Sequence, residues 1–310
     1  MLSRIADSIF WLSRYMERSD GLLRSTQTHY ILMLDKGVNE HLSWEPVLQI
    51  FTNKNNSELS LLKHNTEYAL QALLLDINNP NALKVMIHRA RENARGVQDH
   101  ITKEVWEQVN QLYHLINQPL SLQGFEAIET IERLSTECIL YNGVADTTMP
   151  RGMGWSFMSL GRHIERCLLT IEMTDLYFGQ VAYQLDNEKD ILQWRPLLLS
   201  LSGYELHLKT YRTGTHNLNA LHQVLFNVNF TRSVLYTLKR IDKYFQLIIE
   251  HDTSAEIQTL TKQLGRLLSK VEYTDFNSLN ALTLQSYLKE IRKELLQFSN
   301  QLAQHFFSYA

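Results

Sequence analysis

A seven-residue pattern that occurs twice constrains this chain more than any other feature. Leu12-Ser13-Arg14-Tyr15-Met16-Glu17-Arg18 is echoed by Leu160-Gly161-Arg162-His163-Ile164-Glu165-Arg166, the leading arginine moving from 14 to 162, a displacement of 148. Trp44-Glu45-Pro46-Val47-Leu48 returns as Trp194-Arg195-Pro196-Leu197-Leu198, displaced by 150 (44 to 194), and Asp76-Ile77-Asn78 returns as Asn227-Val228-Asn229, displaced by 151. Beyond the third anchor, Ala82-Leu83 answers to Ser233-Val234 and Arg89 to Arg240. Collinear anchors at a nearly constant displacement indicate a duplication. The 310 residues are therefore expected to hold two tandem copies of a roughly 150-residue unit, about 1–145 and 146–310.

Each copy reads as helical. Only 5 Pro and 12 Gly punctuate the sequence, too few for the turns of a sandwich or barrel, while Leu, Glu, Gln, Lys and Arg fill long stretches. The pattern predicts an opening helix, a short segment around Trp-x-Pro, and a polar turn leading into a long helix from Pro80 to about Asn117, with Pro80 in its first turn. Further helices are expected at about 122–142, 155–180, 230–250, 254–272 and 278–308, and a short glycine-rich junction at 142–154. With no long linker between the copies, the expectation is one all-α helical bundle in which both pack as one body.

Thirty Lys plus Arg against 33 Asp plus Glu give a formal charge of −3, so no basic field invites nucleic acid or an anionic membrane. Cys138 and Cys167 have no metal-site or disulfide-framework spacing and suit a reducing compartment. Arg4, Asp7 and Arg14 interrupt the N-terminal apolar residues, unlike a signal peptide, and no run approaches the roughly 20 apolar residues a membrane span needs. A soluble cytoplasmic protein is expected.

At about 100° per residue, Ile5, Ile9, Leu12, Met16 and Leu23 form the core-facing stripe of the first helix. Arg14, Glu17 and Arg18 lie away from it with Trp11 among them and Phe10 beside them. In the second copy Leu160, Ile164, Cys167 and Ile171 make the stripe, and Arg162, Glu165 and Arg166 lie opposite with Trp155 and Met158. One carboxylate is thus bracketed by two guanidiniums at helical spacing in each copy. Two readings stand side by side. In one, the groups form a buried ion network that fixes how the halves dock. In the other, four arginines from two helices meet between the halves and hold an anionic group in their planar forks, with the Glu residues orienting them. Glu17 and Glu165 are the candidate acid/base residues, but neighbouring arginines lower a carboxylate's pKa, which favours binding over proton transfer.

Arg91, Glu92, Asn93 and Arg95 repeat the Arg/Glu theme on a second helix, where a solvated ion-pair face is the simpler reading. Neither Glu-x-x-His nor His-Glu-x-x-His occurs, so no metal site is expected among the 12 His. The glycine-rich phosphate loops and the Gly-x-Ser-x-Gly elbow are missing too. Cys167, on the apolar stripe, reads as a packed thiol.

Three segments together resemble the alpha-E domain family, bacterial all-helical proteins named for a Glu-Arg motif. They are Trp11 to Arg18, Gly154-Trp155-Ser156-Phe157 running into Leu160 to Arg166, and Ala90-Arg91-Glu92-Asn93-Ala94-Arg95, and the resemblance extends over the whole chain. It implies a genomic partnership with a circularly permuted ATP-grasp ligase, and often with a transglutaminase-like protease and a proteasome-like hydrolase, in peptide synthesis or modification. Arg151-Gly152 departs from the family, where an acidic residue is expected after the Arg. The function expected is that of an accessory or co-catalytic partner of an amide or peptide ligase, binding an acidic peptide or small anionic ligand through Arg14, Arg18, Arg162 and Arg166, with Trp11, Trp155 and Arg151 beside them. No cofactor of its own is expected; ATP and Mg would enter only through the ligase. A stand-alone enzyme of amide modification and a purely structural scaffold are the alternatives.

Overall fold

The computed structural model describes residues 1–35, 42–186, 190–212 and 214–307. Among them the secondary structure is helical, with no strand. The chain divides into two compact units, one of residues 11–150 and one of residues 1–10 with 151–310.

The 11–150 unit takes the greater part of α1 (Ser3–Leu34), followed by α2 (Glu45–Phe51), α3 (Asn56–Leu62), α4 (Thr66–Leu70), α5 (Leu83–Arg95), α6 (Lys103–Ile116) and α7 (Gly124–Thr148). Local chemistry sets these boundaries. Pro46 sits in the first turn of α2, where its missing N–H costs nothing. Asn55 and Glu58 form a reciprocal capping box on α3, and Asn65 caps α4 by accepting from Tyr68 N. A π-helical turn, Gln71–Leu75, closes on Asp76, whose carboxylate then accepts from Asn78 N at 2.9 Å. Buried Asn79 donates through Nδ2 to the carbonyls of Phe51 and Ala72, both at 3.0 Å, so the turn is fastened to α2 and to the π turn.

The other unit holds α8 (Met153–Gly179), α9 (Ile191–Ser200), α10 (Tyr204–Thr210), α11 (His216–Phe226), α12 (Val234–Ile248), α13 (Ala255–Glu272) and α14 (Leu284–Phe307), along with residues 3–10 of α1. Helix α8 packs most extensively on α12 and also on α14. Phe10 is fully buried, 5.1 Å from Phe307, and Phe157 lies 5.6 and 6.0 Å from Phe306 and Phe307. Gly161 lets α8 approach the Phe10 carbonyl closely: a Cβ there would lie 2.5 Å from that oxygen.

Several local geometries recur at the displacements read from the sequence. Trp44 and Trp194 are both fully buried, and their indole N–H groups donate to Thr66 at 3.1 Å and Asn217 at 2.9 Å. The five-residue bond from Asp76 N to the Gln71 carbonyl is matched by Asn227 N to the His222 carbonyl, and Asn229 N bonds to the Asn227 side chain at 2.9 Å as Asn78 N does to Asp76.

Some sequence expectations need correction. The long helix from Pro80 to Asn117 is two helices. Pro80 lies in the turn, and α5 starts only at Leu83, because Ala82 is extended (ψ 143°). The break between α5 and α6 comes from Val97, off the helical region at φ −134°, and from Thr102, whose hydroxyl caps α6. Helix α7 continues through Asn142-Gly143, so the junction shrinks to Met149–Gly152. Helices α12 and α14 start later than expected, at Val234, where the Ser233 hydroxyl accepts from Tyr236 N, and at Leu284, after turns at Asn280. Phe10 and Met158, expected beside the charges, are wholly buried in the core.

Candidate functional site

On α1 the apolar stripe behaves as the periodicity requires: Ile5, Ile9, Leu12, Met16 and Leu23 are buried. The opposite face is not solvated either, since Glu17 is 1% exposed and Asp20 4%. Burying a carboxylate is costly unless cations and donors surround it. Arg24 pairs with Asp20 one turn away, extending the Arg14, Glu17 and Arg18 series along the helix. The guanidinium of Arg14 lies 4.6 Å from the Trp11 ring centroid, within cation–π range.

Arg18 works as a tie. Its Nε donates to Asn81 Oδ1 at 3.0 Å and its Nη2 to the Ile50 carbonyl at 3.3 Å, while Cζ lies 5.4 Å from the Phe51 ring centroid. One guanidinium thereby joins α1, the end of α2 and the turn before α5. Farther along α1, His29 is 1% exposed and its Nδ1 meets the Ser25 carbonyl at 3.1 Å. Burial pushes its pKa down to about 4, against a smaller upward pull from that carbonyl. A histidine held neutral in the folded state and free to protonate near pH 6.5 when unfolded makes stability fall as the pH drops below 6.5. We expect a loss of about 2 kcal/mol between pH 7 and pH 5 from this residue. Urea unfolding across that range checks it, the pH dependence flattening in His29→Gln.

On α8, Glu165 is 4% exposed and Trp155 7%. Two guanidiniums approach the Trp155 ring, Arg151 at 3.8 Å and Arg162 at 5.7 Å from its centroid. The Nε and Nη2 atoms of Arg162 are buried and make no hydrogen bond among the described residues. His163 stacks on Tyr244 with centroids 5.9 Å apart, and Tyr236 beside it accepts from Arg240 through Nε at 3.1 Å and Nη2 at 2.9 Å. Thr170 donates to the carbonyls of Arg232 at 2.8 Å and Arg166 at 3.0 Å.

The two motifs thus share a buried Glu but differ in their aromatic neighbours: Trp11 precedes Arg14 by three residues, Trp155 precedes Arg162 by seven. At the same spacing from the second motif, Asp20 and Arg24 are replaced by Leu168 and Glu172, and Glu172 pairs with Arg292 at 2.7 Å instead. The Asp20 and Arg24 extension was visible as further i+3 and i+4 spacing along α1. Asn81 carried no such signal, because its partner Arg18 lies 63 residues away in sequence.

Elsewhere, Arg91 lies in an aromatic and amide nest rather than a solvated face: its Nε donates to Asn110 at 2.8 Å and its Cζ lies 4.2 Å from the Tyr113 centroid. Arg95 and Glu92 form an exposed pair at 3.3 Å, and half-buried Asn93 donates to the Arg89 carbonyl. Both thiols are buried. Burial pushes Cys167 up to about 12 and Cys138 well above the usual thiol range. Neither has the lowered pKa and access of a nucleophile. Among the described residues no helix is long and apolar enough to cross a membrane.

Comparison with known proteins agrees with the motif. An uncharacterized protein of Mycobacterium bovis is 21% identical over 309 residues, covering 93% of this chain and 34% of its own length. An uncharacterized protein of Mycobacterium tuberculosis is 20% identical over 309 residues with the same coverage. This chain therefore spans about a third of the length of the curated relatives it matches. No solved structure matches it. The Alpha-E family model, described as a predicted alpha-helical domain with a conserved ER motif, matches residues 1–307. With Glu17-Arg18 and Glu165-Arg166 on two long helices, both glutamates buried, and a match along nearly its whole length, the chain belongs to the Alpha-E family.

Proposed function

We propose that this protein is an accessory or co-catalytic partner of an ATP-grasp amide or peptide ligase, working in the cytoplasm and binding an acidic peptide-like substrate or product through its Arg-x-x-Glu-Arg helices. The observation that carries the reading is the approach of Arg151 and Arg162 to the ring of buried Trp155, with two nitrogens of Arg162 buried and without a hydrogen bond among the described residues. Such a place suits a carboxylate arriving on a ligand. Arg14, Glu17 and Arg166 belong to the same pattern. ATP and Mg would be held by the ligase, as would the bond-forming chemistry.

The link to a ligase rests on the family resemblance. The relatives' greater length supports it, because in them the matched region is one part of a chain about three times as long, as a segment working beside another module would be. A duplicated origin of the two copies is part of the same proposal, supported by the paired Trp44 and Trp194 bonds and the matching five-residue turns. The scaffold reading has one observation in its favour, the Arg18 tie to Asn81 and Ile50, which assigns that arginine to holding the fold.

Size-exclusion chromatography of the chain co-expressed with an ATP-grasp protein, where one is encoded beside it, tests the partnership. Elution of both as one stoichiometric complex is expected. Separate elution at micromolar concentration would remove the subunit reading.

A further inference from the structure

The guanidinium of Arg162 presents an unusual edge. Nε and Nη2 are the two nitrogens on one side of the planar group, the pair that makes a side-on, bidentate fork with a carboxylate. Both are buried and neither makes a hydrogen bond among the described residues. Leaving two donors of a permanently charged group unmade is unfavourable, so this edge of the guanidinium contributes nothing to holding the fold. Arg18, on the other helix, has the same two nitrogens bonded to Asn81 and Ile50.

The surroundings of Arg162 add to its positive charge. The Trp155 ring lies 5.7 Å from its Cζ, and Arg151, in the short turn ahead of α8, holds its own Cζ 3.8 Å from the same ring.

We infer that the Nε/Nη2 edge of Arg162, with Arg151 and Trp155, is a carboxylate-binding site in which Arg162 supplies the fork, Arg151 a second cation and Trp155 the wall. This rests on the reading of the Arg-x-x-Glu-Arg helices as ligand-binding and assigns that role to the second copy. The ligand class is a carboxylate carried on a small molecule or a peptide side chain; the planar fork favours it over a tetrahedral anion. The two nitrogens are covered, so a neighbouring group must shift to admit the carboxylate, and the Trp155 indole 5.7 Å from Cζ reports the change.

Isothermal titration of the full chain with a glutamate-containing peptide blocked at both ends, its glutamine counterpart and inorganic phosphate tests the site, with tryptophan fluorescence as a second readout. The expected result is binding of the glutamate peptide alone, weakened about tenfold or more in Arg162→Lys, which keeps the charge but loses the fork, with a fluorescence change that Trp155→Phe abolishes. Arg162→Met should also lose binding while melting no lower than the parent, which separates loss of a ligand site from loss of fold. Equal binding of both peptides, phosphate binding in place of the glutamate peptide, no binding by the parent, or unchanged affinity in Arg162→Lys would overturn the assignment. Co-elution of Arg162→Lys with the ligase would then leave the partnership standing, so the two proposals fail separately.

Discussion

Replacing Arg18 by methionine is expected to lower the stability of the protein by about 3 kcal/mol. Methionine fills much the same volume, so lost packing contributes little. The loss comes from the partners. Asn81 Oδ1 and the Ile50 carbonyl, both partly buried, lose their donors, and the buried carboxylate of Glu17 loses a neighbouring cation on its own helix. Urea unfolding measures it. Arg18→Lys should recover only part of the loss, since one ammonium cannot span both acceptors in the geometry of the fork. A change below about 0.5 kcal/mol for Arg18→Met would mean that the tie contributes nothing to folding.

A second large effect is expected at Gly161. Alanine is the better helix former by about 1 kcal/mol, so on propensity alone Gly161→Ala would stabilise α8. The structure reverses the sign. The added Cβ would meet the Phe10 carbonyl oxygen at 2.5 Å and the carbonyl carbon at 3.2 Å, and these are backbone atoms of a helix, which cannot swing aside as a flexible side chain can. Either α8 separates from residues 3–10 of α1, loosening the Phe10, Phe157 and Phe307 cluster, or the clash persists; a net loss of about 3 kcal/mol is expected. Ser13, which occupies the corresponding place in the first Arg-x-x-Glu-Arg motif, is the control. Its hydroxyl is buried without a hydrogen bond among the described residues, so Ser13→Ala should cost nothing. Thermal melting of the two variants reads the difference, and a Gly161→Ala protein melting above the parent would show that propensity outweighs the contact.

Much of this fold is legible in the sequence because helices announce themselves through local spacing. The stripes from Ile5 to Leu23 and from Leu160 to Ile171 are buried as their periodicity demands, and α8 and α13 begin and end within two residues of where the pattern places them. The helix breaks were less legible. Thr102 is a cap only because the backbone has already turned at Val97, and Pro80 belongs to a turn pinned by Asn79 to two distant carbonyls. Such long-range bonds leave no periodic trace.

The charged motifs were legible as residues but not as roles. Spacing brings Arg14, Glu17 and Arg18 together, and likewise Arg162, Glu165 and Arg166, yet it treats the two arginines of each motif alike. The partners that separate them, Asn81 and Ile50 for Arg18, Trp155 for Arg162, come from other turns of chain or from seven residues away. Arg91 shows the same limit: on its own helix it reads as part of a solvated row, and only α6 supplies the Asn110 and Tyr113 that enclose it.

The most direct measurement is equilibrium unfolding of Arg18→Met and Arg162→Met side by side, in the presence and absence of the glutamate peptide. The expected result is an Arg18→Met protein about 3 kcal/mol less stable, and an Arg162→Met protein as stable as the parent that no longer gains stability from the peptide. Equal losses in the two variants, or an Arg162→Met protein still stabilised by the peptide, would contradict the division of these arginines into one that holds the fold and one that holds a ligand.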